Sequence, residues 1–192
     1  NAINSGASSL VALLLPISVI IYFVSKPLAQ VLFARGAASV AEARSTGLLL
    51  GLFVIGLVPF SMFYLLLRGF YALEDTKTPF FINIILNAFN LSIAVYLFNI
   101  FSESNKVSGL VIGYVSSYLI TTPLLWYFLQ RKGLSLGSVI FIKNIYKPIL
   151  ATSLMGVALF YIGNILNFQE NVDFLQALTQ VITWGVSGSI IY

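Results

Sequence analysis

The sequence predicts an all-α, polytopic transmembrane bundle of about six spans, and three observations lead there. Of 192 residues, 59% are hydrophobic and 8% charged, with a mean hydropathy of +0.97, whereas a soluble domain carries about a quarter charged residues. Apolar runs long enough to cross a bilayer, about 20 residues each, are separated by short polar breaks. Runs such as STGLLLGLFVIGLVPFSMFYLLL, residues 45–67, show no apolar–polar alternation. That excludes the membrane β-barrel, the other architecture that satisfies its backbone in lipid.

Composition also narrows the chemistry. With no cysteine and no histidine, thiol nucleophiles, disulfides, imidazole bases and the commonest zinc ligands are ruled out. No Walker loop or dinucleotide fingerprint occurs, so neither a metal nor a cofactor is expected. The formal charge of +4 is spread through connectors rather than gathered into a nucleic-acid patch, and anionic membrane lipids are the expected partners of these cations. No basic n-region of a cleavable signal precedes the first apolar run. The chain opens on Asn1 and reaches Tyr192 within an apolar run, which reads as part of a longer polypeptide.

The first span covers about residues 6–25, with Pro16 inside it. A bend is expected there, tolerated because a neighbouring helix can satisfy the carbonyl the proline frees. In KPLAQVLFARGAASVAEARS, residues 26–45, Leu28, Val31 and Leu32 recur at helical spacing, which suits a short interfacial helix with Gly36 as its C-cap. The second span, 46–70, contains Pro59, and its Gly47, Gly51 and Gly56 allow close approach of a neighbouring backbone. Arg68, near its end, is placed to snorkel to the headgroups.

GFYALEDTKTPF, residues 69–80, holds Glu74 and Asp75, two of only six acidic residues. It reads as a helix stop, a tight polar turn and a helix start, with Thr78 as N-cap and Pro79 at the first helical position. Carboxylates there also favour the new helix N-terminus. An acid–base pair is the other thought, but sequence neighbours point apart and every acidic residue lies in a connector, so no catalytic residue is assigned.

The third span, 80–101, carries Asn83, Asn87 and Asn90 on one helical face. At membrane depth such a face either bonds a neighbouring helix or lines a wet cavity. After the loop NIFSESNKVSG, the fourth span runs over 110–130, with Gly109 and Gly113 as a small-xxx-small pair and Trp126 and Tyr127 in an interfacial belt. The connector 131–147 is basic, with Arg131, Lys132, Lys143 and Lys147 facing headgroups. The fifth span covers 148–166, NFQENVD makes a turn, and the sixth starts near Phe174. Arg68, Lys77 and the four connector cations outnumber Lys26, Arg35, Arg44 and Lys106 on the other side, which places 69–80 and 131–147 in the cytoplasm.

LLLPISVIIYFVSKPLAQVLFARGA, followed by a span ending LLLRGFYALEDTKTP, resembles the MurJ/MviN family of lipid II flippases, within the multidrug/oligosaccharidyl-lipid/polysaccharide flippase superfamily. The family signature FYA-x-x-DT-x-TP is matched by Phe70, Tyr71, Ala72, Asp75, Thr76, Thr78 and Pro79. The likeness is explicit over about residues 10–90, and beyond that it rests on span count and loop length. Ala34 and Ala38 depart from the family, which often has an acidic residue and an aromatic there.

The resemblance implies that the six spans are helices nine to fourteen of a fourteen-helix transporter of the bacterial cytoplasmic membrane. Residues 1–130 would be later helices of its C-terminal lobe, 131–147 a cytoplasmic connector, and 148–192 two terminal helices forming a groove for a polyprenyl tail. It also implies transbilayer flipping of the lipid-linked peptidoglycan precursor, a polyprenyl pyrophosphate lipid, by alternating access rather than enzymatic catalysis, in cell-wall biogenesis and alongside cell-wall synthesis proteins. The family's cavity arginines lie on earlier helices, so none is carried over. The alternatives are export of another polyprenyl-linked oligosaccharide or a drug cation, a membrane-embedded enzyme acting on a lipid-linked sugar, and a noncatalytic membrane scaffold.

Overall fold

The computed structural model describes residues 2–34, 39–134, 139–166 and 174–192. It contains helices α1 (Ala2–Phe33), α2 (Val40–Ile55), α3 (Leu57–Ala72), α4 (Lys77–Ile100), α5 (Lys106–Arg131), α6 (Val139–Ile165) and α7 (Phe174–Ile191), with one 3-10 turn, Glu103–Asn105, ahead of α5. Five are long and apolar enough to cross a membrane, and α2 with α3, bent by 42° at a single break, makes a sixth span. The all-α, six-span reading therefore holds among the described residues.

The segment expected as a separate interfacial helix is instead shared between its neighbours. Leu28, Val31 and Leu32 continue α1, which passes unbroken through Pro16 and Pro27. Residues 40–45 already belong to α2, started by a capping box between Ser39 and Glu42. Continuing a helix keeps every backbone group bonded, which an apolar surrounding rewards. Gly36 lies outside the described residues. At Pro16, the Ala12 carbonyl that loses its donor accepts the Tyr192 hydroxyl at 2.7 Å, the rescue by a neighbour that such a proline requires.

The second expected span is two helices. Pro59 has no N–H for the Ile55 carbonyl and its ring crowds that oxygen, so the chain turns just before it, at Gly56. A side chain at Gly56 would meet Val115 of α5 at 2.9 Å. Two closer backbone approaches knit the bundle: a Cβ on Gly47 would lie 2.6 Å from Lys26 Cα, and one on Gly113 would lie 2.9 Å from the Ala94 nitrogen. In lipid, where helix association lacks a hydrophobic drive, such contacts carry much of the cohesion.

Two buried clusters organise the packing. Phe63, Leu66 and Phe70 of α3 meet Ile82 and Leu86 of α4 and Tyr118, Leu125 and Leu129 of α5. Val24 of α1 meets Met155 and Leu159 of α6 and Trp184 of α7. The last two helices dock more on α1 than on each other. Outward, Leu91, Tyr96, Leu154 and Ile190 are all more than 60% exposed, an apolar surface of the kind that lipid covers.

The connector 131–147 is shorter than expected. Residues 139–147 form the first turns of α6, so Pro148 lies inside that helix rather than at its start. The apolar residues of VIFIKNIY are spaced to suit a helix, and a helix bonds its backbone internally where a loop would leave it open. The turn expected at NFQENVD lies outside the described residues.

Candidate functional site

The polar elbow between α3 and α4 is built by two helix ends sharing one residue. α3 closes with the Asp75 N–H donating to the Phe70 carbonyl and the Glu74 N–H to the Tyr71 carbonyl, both at 3.0 Å. This is the paired-bond C-terminal motif in which the residue after the cap turns left-handed, a place glycine usually fills. Here Glu74 fills it, at φ 57°. Asp75 then opens α4: its carboxylate accepts from the Thr78 N–H at 3.0 Å and from the Thr78 hydroxyl at 2.7 Å.

The expected roles of Thr78 and Pro79 change accordingly. α4 begins at Lys77, so Thr78 and Pro79 are its second and third residues, and Asp75 does the capping in place of Thr78. A charged carboxylate accepts more strongly than a hydroxyl, and here one carboxylate takes both of Thr78's protons. Pro79 is buried, at a position where its missing N–H still leaves no helical carbonyl unserved.

Across the end of the bundle, Lys132 approaches Asp75 Oδ2 at 3.0 Å, with the Asp75 side chain only 12% exposed. The Thr78 amide, the Thr78 hydroxyl and then Lys132 hold the Asp75 carboxyl well below the usual carboxylate range. The contact puts the elbow and the start of the basic connector at one end of the bundle, the arrangement that the loop charges imply. Arg131 lies over the Tyr127 ring at 5.1 Å. Phe70 is fully buried beneath the elbow while Tyr71 is half exposed, and Arg68, Thr76 and Lys147 are exposed. Lys143 is on α6, its side chain outside the described residues.

The asparagine face is spent largely on its own helix. Asn83 donates to the Pro79 carbonyl at 2.9 Å and Asn87 to the Asn83 carbonyl at 2.8 Å, the back-bonding open to short polar side chains. Asn83 and Asn90 are half-buried and Asn87 is exposed, beside the buried side formed by Pro79, Ile82, Leu86 and Ala94.

An apolar groove of about 660 Å³ opens between α1, the α2–α3 break and α6, lined by Val19, Tyr22, Ile55, Pro59, Thr152 and Gly156 among others. The tail groove was expected between the two terminal helices. α6 does form a wall of this groove, whereas α7 packs against α1 through Trp184 and Phe23, ring centroids 5.0 Å apart. Among the described residues no group of carboxylates suited to a metal ion occurs.

A family model described as "Lipid II flippase MurJ" matches residues 1–178. The chain belongs to the lipid II flippase MurJ family. Its relatives include proteins named "Probable lipid II flippase MurJ" from Haemophilus influenzae, 27% identical and matched over 100% of this chain and 37% of that protein, and from Rhizobium meliloti, 28% identical over 83% of this chain and 29% of that one. The chain thus spans about a third of the length of these MurJ relatives. A solved structure of MurJ, described as the lipid II flippase in an inward closed conformation, has the same fold, with a TM-score of 0.77 and 17% identity over 98% of this chain and 37% of that one.

Three contacts at these sites escape sequence reasoning: Lys132 to Asp75, the Thr122 hydroxyl donating to the Pro59 carbonyl at 3.0 Å, and Thr152 facing the groove. The signal for the second was present, a threonine within one membrane helix and a proline within another, but nothing in one dimension pairs their depths.

Proposed function

We propose that this chain is the later part of one lobe of a carrier that flips lipid II, the lipid-linked peptidoglycan precursor, across the bacterial cytoplasmic membrane by alternating access, moving the lipid without making or breaking bonds in it. The observation that carries the reading is the family match over residues 1–178, which runs through the elbow signature. The geometry supports it. The elbow joins the ends of α3, α4 and α5 through Asp75 and Lys132, so these helices would move as one body, with the elbow and basic connector on the cytoplasmic side. The half-buried face of Asn83 and Asn90 would border a polar path, and the groove beside α6 would take a length of polyprenyl chain. Arg131, Lys132, Lys143 and Lys147 would meet anionic headgroups. A charge crossing the bilayer gains about 2.3 kcal/mol per 100 mV, enough for membrane potential to bias such a cycle.

The test is flipping of fluorophore-labelled lipid II in vesicles, read by a quencher that cannot cross the membrane. Replacing Thr78 and Pro79 together with alanine lowers the flipping rate, because the angle between α3 and α4 is no longer held. An unchanged rate would count against the elbow's role, and no transport by the unaltered full-length carrier that contains this chain would end the carrier reading.

A further inference from the structure

Pro16 and Pro59 each leave a carbonyl without its helical donor, and the bundle answers them differently. At Pro16, the Ala12 carbonyl accepts the hydroxyl of Tyr192, the residue that follows α7. At Pro59 there is no N–H for the Ile55 carbonyl, and the span breaks by 42°. On one side of the break, Thr122 of α5 donates to the Pro59 carbonyl at 3.0 Å. On the other lies the groove, where α6 places Thr152. This side chain is 5% exposed, and its hydroxyl has no hydrogen-bond partner among the described residues.

A buried hydroxyl left unbonded is costly in apolar surroundings. Thr152 lines the same cavity as Ile55 and Pro59. The α5 side also has space, a cavity of about 210 Å³ lined by Gly56, Leu57 and Tyr114 among others. The broken segment thus has one hydroxyl holding it, another unused, and unfilled volume on both flanks. Packed interiors respond by switching between discrete arrangements rather than by deforming continuously.

We propose that the α2–α3 break is a two-position switch, clasped to α5 through Thr122 in this structure and swung toward α6 in a second state, where the Thr152 hydroxyl donates to the Ile55 carbonyl and the groove narrows. It deepens the carrier reading, on which its purpose rests, by giving the lobe a moving part that controls the room for a lipid chain. The movement itself is measurable without substrate.

Because these 192 residues contain no cysteine, Val58→Cys with Ser153→Cys, both lining the groove, reports its width through disulfide formation in the vesicle-reconstituted full-length carrier, with any cysteine elsewhere in it replaced by serine. Thr122→Val removes the clasp and keeps the shape, so it raises the cross-linking rate about 2- to 12-fold, the population shift that one hydrogen bond supports. Thr152→Val lowers the rate by a similar factor, and Thr122→Ser, which keeps the hydroxyl, stays near the starting value. Two merely structural threonines would not shift the rate in opposite directions. Shifts in the same direction, or none, overturn the switch. Absence of lipid II flipping by the full-length carrier alongside opposite shifts overturns the carrier reading alone.

Discussion

Replacing Gly47 with alanine sets one methyl group against the backbone of α1. The new Cβ would stand 2.6 Å from Lys26 Cα and 2.8 Å from the Ser25 carbonyl oxygen, where ordinary contact begins at 3.4 Å. Neither atom belongs to a side chain that can swing away, so α2 must retreat by about 0.8 Å, enough to forfeit a quarter to a half of the dispersion well at the neighbouring contacts. Overpacking of this kind costs about 1–3 kcal/mol, against a gain of about 0.5–1 kcal/mol from replacing glycine in a helix. The net expectation is a loss of up to about 2.5 kcal/mol, centred on about 1 kcal/mol. Gly185→Ala is the control, since a Cβ there meets nothing within 4 Å among the described residues, and it should be neutral or slightly stabilising. Unfolding by SDS titration in mixed micelles, followed by tryptophan fluorescence, compares the two. If Gly47→Ala is as stable as Gly185→Ala, close packing of α1 on α2 is not what holds this part of the bundle.

The elbow yields two further tests. Asp75 has its carboxyl held well below the ordinary 3.8, first by the Thr78 amide, then by the Thr78 hydroxyl and Lys132, so its stabilising effect is complete above that value and is lost as the pH falls through the lowered one. Asp75→Asn should therefore show a stability deficit that is constant from about pH 8 to 5 and shrinks only in strong acid, as measured by unfolding at each pH; a deficit that disappears near neutrality would refute the bonded carboxylate. Glu74→Gly relieves a left-handed residue and should raise stability by about 1 kcal/mol, measured by the same SDS titration, and a loss would mean that the glutamate side chain makes a stabilising interaction of its own.

Much of the fold was legible because lipid imposes simple rules. Backbone groups must be bonded internally, so long apolar runs become helices, and five helices plus one bent pair match the expected six spans. The pairing of Gly109 and Gly113 was likewise readable, since small residues one turn apart announce a close approach; the partner they touch, Leu97 and Ala94 of α4, was not. Boundaries failed where two local signals competed. At 26–45 a polar–apolar mixture and a glycine suggested a separate helix, yet α1 and α2 simply extend into it. In the elbow, Thr78 directly followed by Pro79 pointed to Thr78 as the cap, while Asp75 three residues earlier is the stronger acceptor. For the asparagines, helical spacing gave the shared face but not the bonding, because an amide's choice between its own helix and a neighbour depends on what stands opposite.

Length, composition and order of residues determined that this chain forms membrane-spanning helices, roughly where along the chain each lies, and which polar stretches lie between them, because each of those outcomes depends on neighbours a few positions apart. Only the folded bundle decided that the span at Pro59 breaks, that Tyr192 repairs Pro16, that Lys132 meets Asp75, and that Thr152 faces an apolar groove with no hydrogen-bond partner among the described residues. Such matches join residues as far apart as 180 positions and depend on the relative depth and rotation of whole helices, which are set when many side chains pack at once and are written in no single segment.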